Sequence, residues 1–477
     1  MVMQTIQIRL TEGLVEQIKS LVDKGIYPNS SECVRDAVRR LITGAGGKLE
    51  LKEAEKVKQQ IQKEIKESFQ KPTGTSDLYP EDYSIREQIF SVLRKTARSF
   101  NFQEVESPAF ETLDLLTKKS GQEILTQIFT LEQKGDEKFG LRFDLTVPIT
   151  RMFLEKQKSI AKPVKWYALN RMWRYERPQA GRLREFYQLS VELFGSENPN
   201  SDAEVINLAI QCLKKLGLTD KDFFVKINNR KLLQGLLLSI VKEDKLEELV
   251  RIIDKSPKIT PEEFKKELSR IKADYNKIRD ILKCKTLEDI EKLKLNKMAK
   301  EGLEELKAVT SMIDKRYFKF DISVARGLAY YTGTVFEIFD KQEKFRALAG
   351  GGRYDNLVEL YDGASTPATG FGMGYSTLSL LLKEKDLLPA ADIAPDYFVV
   401  MIGDTKEKSL EIIKQLRKRY KVEYDLNERN VGNQMKYANS LNAKKVIFIG
   451  GDELKAGLFS VKDMKSGKEE KLSLDLL

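Results

Sequence analysis

A run of lysine- and glutamate-rich segments from Asn228 to about Lys315 carries helical spacing almost throughout, and it divides two regions of a different kind. Before it, from Lys71 to about Gly195, helix and strand patterns alternate with turn signals. After it, strand character returns from Phe318 to Phe339, followed by the glycine-rich Gly350-Gly-Gly-Arg353 and a helix pattern from Ser376 to Glu384. Strands on both sides need partners for their backbone N–H and C=O groups, so the order reads as one α+β core interrupted by a helical insertion, about 229–315. Pro389 to Pro395 then reads as a linker. Behind it the patterns are strand from Tyr397 to Ile402, helix from Lys406 to Tyr420, strand, helix from Val431 to Ala443, and strand from Lys445 to Gly450, with a hairpin from Leu458 to Leu474. That alternation predicts a compact α/β domain over 396–477.

At the opposite end Ile6, Ile8 and Leu10 alternate with Thr5, Gln7 and Arg9, the period of a half-buried strand. A helix pattern starts at Thr11 with Leu14, Ile18 and Leu21. After a break from Gly25 to Asn29, Ser30-Ser31-Glu32 opens a second one with Val34, Ala37, Leu41 and Ile42. One strand and two helices cannot bury that much apolar surface alone. Residues 2–43 resemble the ribbon-helix-helix family of dimeric DNA-binding repressors, including the second-helix segment from Tyr27 to Ile42. The resemblance implies paired strands in the major groove of DNA, with Thr5, Gln7 and Arg9 as base-reading side chains. A module over 1–43 that only dimerises or tethers is the alternative. The charged stretch from Lys48 to Gln70 repeats Val57, Ile61, Ile65 and Phe69 every four residues and reads as a helical spacer, within a linker spanning 44–70.

With 477 residues there is room for several folding units. No apolar run is long enough to cross a bilayer and no secretory signal heads the chain, so no membrane partner is expected. Cys33, Cys212 and Cys284 stand far apart and in no CxxC pair, which argues against a disulfide framework or a cysteine-rich zinc site. The expected compartment is a reducing cytoplasm, and no resident metal is assigned to protein side chains. A net charge of +10 fits a phosphate-rich partner. The chain contains no histidine, so any catalysis must run without imidazole.

The chemistry concentrates first in the segment from Asn170 to Gln188, where five arginines surround a turn between two apolar stretches and Glu192 follows. Guanidinium groups bind phosphate in two-pronged fashion, so this density beside aromatic residues suits a nucleotide, although charge alone fits a solvated hairpin as well. Arg174, Glu176, Arg182, Arg184 and Phe186 stand in the order of motif 2 of class II aminoacyl-tRNA synthetases. Residues 72–477 resemble the histidyl-tRNA synthetase family from end to end. The resemblance rests on Thr73-Gly-Thr-Ser-Asp77, Pro108, Leu141-Arg-Phe-Asp-Leu-Thr-Val-Pro148, the segment from Val324 to Glu337 and Gly350-Gly-Gly-Arg-Tyr-Asp355.

That family resemblance implies a class II catalytic domain over 71–390, an antiparallel sheet flanked by helices, with 396–477 as an anticodon-binding domain. It implies a ligase that activates histidine with ATP and Mg²⁺ and transfers it to tRNA(His), working as a homodimer with Pro108 at the interface. Arg174 and Arg326 would grip the α-phosphate, Arg182 would reach the outer phosphates, Glu176 would hold the adenine end and Phe186 would stack on the ring. Asp144, Thr146, Gln188, Glu192, Tyr330 and Tyr331 would receive histidine, whose ring nitrogens call for hydrogen-bonding partners. None of these roles needs imidazole, because the attacking carboxylate is already an anion and the task is alignment and charge neutralisation.

The chain departs from the family at motif 3. Gly370-Phe-Gly-Met-Gly-Tyr-Ser-Thr377 ends in Ser376 and Thr377 where the family has Glu-Arg, so the arginine of that motif is not at its place. Arg353 and Arg346 are nearby cations that could take it over. The glycines from Leu348 to Gly352 are expected to permit close backbone approach to a ligand, since no Lys-Ser/Thr follows to make a phosphate loop. Two other readings follow: a catalytically silent paralogue that regulates histidine biosynthesis, favoured by Thr377, and a synthetase-derived DNA-binding regulator, favoured by residues 2–43.

Overall fold

The computed structural model describes residues 12–43, 70–118, 122–256, 259–325 and 330–476, in two compact units, Met1–Pro72 and Thr73–Leu477. In the first unit the two amphipathic patterns form helices Glu12–Asp23 and Ser30–Thr43. Asn29 accepts a bond from the Glu32 amide at 3.0 Å, satisfying one of the second helix's orphan N–H groups. Thr5, Gln7 and Arg9, with nearly all of the expected spacer, lie outside the described residues.

The second unit is built on an eight-stranded sheet. Its strand order is Gln103–Glu104, Val164–Trp173, Glu185–Phe194, Ala368–Gly374, Ala349–Arg353, Thr334–Asp340, Phe223–Asn229 and Phe318–Phe320. The five inner pairings are antiparallel, but both outermost pairings are parallel, so the sheet is mixed rather than wholly antiparallel. Parallel neighbours require a long crossover. At one edge the lysine- and glutamate-rich insertion is that crossover, since it joins Phe223–Asn229 to Phe318–Phe320.

The insertion folds as expected into short helices, Arg230–Leu237, Leu246–Lys255, Pro261–Arg270, Tyr275–Leu282, Leu287–Glu291 and Lys297–Ser311. Side-chain caps begin several of them: Asn229, Thr260, Asp274, Thr286 and Asn296 each accept from first-turn amides. Their apolar faces, among them Leu249, Ile253, Leu268 and Ile278, join one core with the sheet and with helices Pro80–Ser99 and Pro199–Lys215. The C-terminal segment forms a five-stranded sheet in the order Val422–Tyr424, Tyr397–Met401, Lys445–Ile449, Leu458–Asp463 and Glu469–Ser473. Helix Lys406–Leu416 stops four residues short of the sequence pattern, with Arg417 donating to the Val422 carbonyl. Among the described residues no helix is long and apolar enough to cross a membrane, and Cys33, Cys212 and Cys284 are all free and buried.

Candidate active site

The strands Val164–Trp173 and Glu185–Phe194 pair over their whole length, from Val164↔Phe194 to Trp173↔Glu185, and the arginine-rich segment is the loop that joins them. The loop turns tightly: Gln179 and Arg182 exchange backbone bonds at 3.0 and 2.8 Å, and Gly181 has φ +74°, a conformation that favours glycine. Arg184 donates to the Glu176 carbonyl at 3.0 Å and lies 4.3 Å from the Tyr175 ring centroid, so the loop is fixed from within.

Gln188, Ser190 and Glu192 share one face of their strand because side chains alternate with period two. Opposite them the next strand presents Gly374, Gly372 and Gly370 in register. A Cβ at Gly370 would overlap Glu192, and one at Gly372 would overlap the Gln188 amide. The alternating glycines therefore clear space for two polar side chains, while the intervening Phe371 and Met373 are buried in the core.

Glu192 is 1% exposed, with its carboxylate held from both sides. The Thr146 hydroxyl donates to Oε1 at 2.8 Å and the Tyr354 hydroxyl donates to Oε2. Burial first, then the Glu192 charge and hydrogen bond, raise the Tyr354 pKa well above its usual value, so this phenol remains a donor at neutral pH. Tyr330 stacks on Tyr331 with centroids 4.4 Å apart and meets Tyr354 edge-on at 5.8 Å. Asp144 accepts from the Val147 amide at 3.1 Å, which fixes it at the head of helix Thr146–Lys156.

At the other end Arg174 donates through Nε to the Phe143 carbonyl at 2.9 Å, with its guanidinium carbon 5.3 Å from the Phe186 ring centroid. Arg182 pairs with Glu176 across the turn. Arg174, Arg182 and Arg346 line the same cavity, and the Arg182 pKa is lowered by burial first and then by the charges of Arg346 and Arg174. One cavity of about 720 Å³ contains both ends. Asp144, Thr146, Arg174, Glu176, Arg182, Phe186, Gln188, Glu192, Tyr330 and Tyr331 all line it, so the structure brings these ten sequence-predicted residues together. Arg326 lies outside the described residues.

Several expectations change. Gly350 lines the cavity, but a Cβ at Gly351 would strike the Gly370 carbonyl and one at Gly352 the Thr334 carbonyl, so those two serve close strand packing rather than a ligand. Arg353 is not in the cavity. It is buried in an ion pair with Asp202 at 2.9 Å, and it also donates to Ser201, Asp355 and the carbonyls of Ser196 and Asn198. Tyr354, Lys226 and Glu337 also line the cavity; Tyr354 and Glu337 lie within the two family segments, while Lys226 carries no signal beyond strand alternation.

Removing Arg353 strands a buried carboxylate, so Arg353→Ala is expected to lose about 3–5 kcal/mol in chemical denaturation near neutral pH. Burial already raises Asp202 from 3.8 to about 6 with its partner present. A carboxyl whose pKa rises on folding contributes stability at low pH that is lost as pH climbs through its folded value. Without Arg353 the Asp202 pKa lies higher still, so the deficit of the variant should shrink as pH falls toward about 6, where Asp202 takes a proton. An equal deficit at acid and alkaline pH would remove Asp202 from the explanation.

A mixed sheet with an antiparallel centre, a helical crossover, an arginine-bearing loop between paired strands and a glycine strand behind a buried glutamate together define a class II aminoacyl-tRNA synthetase. Residues 74–378 match the family model described as Histidyl-tRNA synthetase, and residues 396–477 match the one described as Anticodon binding domain. The chain belongs to the histidyl-tRNA synthetase family. It is 36% identical to a histidine–tRNA ligase of Natronomonas pharaonis over 84% of this chain and 95% of that one. With a histidine–tRNA ligase of Methanococcus maripaludis strain C7 it shares 38% identity over 85% and 98% of the two chains. Among solved structures, histidyl-tRNA synthetase from Nostoc sp. PCC 7120 superposes with a TM-score of 0.74 at 26% identity, covering 86% of this chain and 97% of that one. A Bacillus halodurans C protein titled as ATP phosphoribosyltransferase regulatory subunit/histidyl-tRNA synthetase superposes at 0.68 with 25% identity, covering 80% and 98%.

Proposed function

We propose that the chain is a histidine–tRNA ligase that performs both half-reactions in this cavity. The observation that carries this reading is the polarity of the cavity, with a buried glutamate and stacked tyrosines at one end and arginines at the other. Histidine enters the first end, where Asp144 and Thr146 take its ammonium group and Glu192, Tyr330 and Tyr331 meet its ring. A carboxylate oxygen of histidine attacks the α-phosphorus of ATP, the bond to the bridging oxygen of the β-phosphate breaks, and pyrophosphate leaves. Arg174 and Arg326 neutralise charge on the α-phosphate, and Phe186 stacks on adenine. A terminal ribose hydroxyl of tRNA(His) then attacks the activated carbonyl carbon, loses its proton and displaces AMP.

ATP is used as its Mg²⁺ complex. Among the described residues no group of three or more Asp, Glu, His or Cys side chains is arranged to hold a metal ion. The protein's own contribution to charge neutralisation is its arginines.

Histidine-dependent exchange of pyrophosphate into ATP, followed by charging of tRNA(His), tests the reading. Absence of exchange with purified protein would favour the silent regulatory paralogue, for which Thr377 at the motif 3 arginine position is the supporting observation. The dimer is supported by Pro108, Ala109 and Phe110, which are exposed together, and sedimentation at micromolar concentration measures it. Residues 1–43 are proposed as a ribbon-helix-helix-like module, on the strength of its two described helices, with 44–70 as linker. Sequence-preferring duplex binding that weakens steeply with salt would assign Thr5, Gln7 and Arg9 to DNA. Salt-dependent binding without sequence preference would leave the module a tether.

A further inference from the structure

The motif 3 position carries no cation here. Thr377 is buried, and its hydroxyl lies 3.2 Å from where a Cβ at Gly181 would stand, so the tip of the arginine loop rests on it. A second cation for the outer phosphates, beside Arg182, must come from elsewhere in the cavity wall. Arg353 is consumed by Asp202, and Lys226 by Glu343 at 2.9 Å and Asp321 at 3.6 Å.

Arg346 remains. It lies on the connection between strands Thr334–Asp340 and Ala349–Arg353 and lines the cavity with Arg182 and Thr377. This connection is pinned. The buried Asp340 carboxylate accepts from the amides of Gln342, Lys344 and Phe345 at 3.2, 3.0 and 3.0 Å, and Leu348 is fully buried just beyond. Arg346 has no ion pair among the described residues, and the nearest acidic neighbour in sequence, Glu343, is occupied by Lys226. Its charge instead lowers the pKa of Arg182, a repulsion between like groups at a cavity wall. A polyanion between the two would turn that repulsion into attraction.

Building on the ligase reading, we infer that Arg346 is a substrate-binding residue for the β- and γ-phosphates of ATP and for the departing pyrophosphate, replacing from another strand connection the arginine that motif 3 lacks. It acts only while those phosphates are present. Histidyl-adenylate has already lost them, so the transfer step does not use Arg346.

The test is Arg346→Ala beside Arg346→Lys, both at an exposed position where the fold should hold. In pyrophosphate exchange Arg346→Ala should raise KM for ATP and for pyrophosphate about ten- to a hundredfold, with KM for histidine unchanged. Arg346→Lys should recover part of the loss, as a point charge without the fork. Single-turnover transfer from preformed adenylate to tRNA should keep its wild-type rate. Unchanged ATP and pyrophosphate constants in Arg346→Ala, or an equal loss in transfer, would overturn the inference. Calorimetric titration with MgATP and with pyrophosphate asks the same question without turnover. A wild type that shows no exchange would sink the ligase reading, while the binding comparison would still decide Arg346.

Discussion

Glu192→Gln is expected to lower kcat/KM for histidine about a thousandfold while leaving the melting temperature equal or higher. The carboxylate is buried at 1% exposure and is aimed by two hydroxyls, Thr146 on Oε1 and Tyr354 on Oε2. A glutamine fits the same space above Gly370 but brings no charge, and its amide nitrogen offers protons to hydroxyls that now donate. Burying an anion costs folding energy, so neutralising it does not weaken the fold. Exchange kinetics with histidine as the varied substrate, read together with a thermal scan, separate recognition from structure. Lost activity with a lowered melting temperature would assign Glu192 to the core instead. Tyr354→Phe should fall about tenfold only, because Thr146 still holds one oxygen.

That pocket was partly legible in the sequence, and the boundary between what was and what was not is physical. Gln188 and Glu192 lie four residues apart on one strand, so a period of two puts them on one face without any knowledge of the fold. The glycines at 370, 372 and 374 have the same period, and only pairing in register shows which side chains they make room for. Tyr354 reaches Glu192 across 162 residues and Arg353 reaches Asp202 across 151. Both sit in one short glycine-rich motif. Their opposite fates, one in the cavity and one in the core, depend on which face of the sheet each side chain leaves.

The loop shows a related limit. Its arginine density announced phosphate binding, yet composition could not tell that Glu176 pairs with Arg182 across the turn. Nor could it tell that Gly181 would rest on Thr377. The helical insertion was legible from its caps and apolar spacing, because those are local. That it would serve as the crossover between two parallel strands was not, since the direction of pairing is set by the sheet rather than by either strand.

Arg174→Ala is expected to reduce adenylate formation about 10²- to 10³-fold through kcat, with a smaller change in KM for ATP. Charge develops on the α-phosphate oxygens as the carboxylate attacks, so a donor placed there acts more strongly on the transition state than on bound ATP. The position of Arg174 is fixed before substrate arrives. Its Nε is committed to the Phe143 carbonyl at 2.9 Å, and the group lies by the Phe186 ring, which sets its orientation. Arg174→Lys should therefore do little better than alanine, because an ammonium cannot keep the Phe143 bond and present a two-pronged face to phosphate at once. This contrasts with Arg346, where lysine should rescue and the loss should fall on KM. Rapid-quench measurement of adenylate formation at saturating ATP distinguishes the two arginines. Full recovery by Arg174→Lys, or a loss confined to KM, would move Arg174 from the reacting phosphate to ground-state binding.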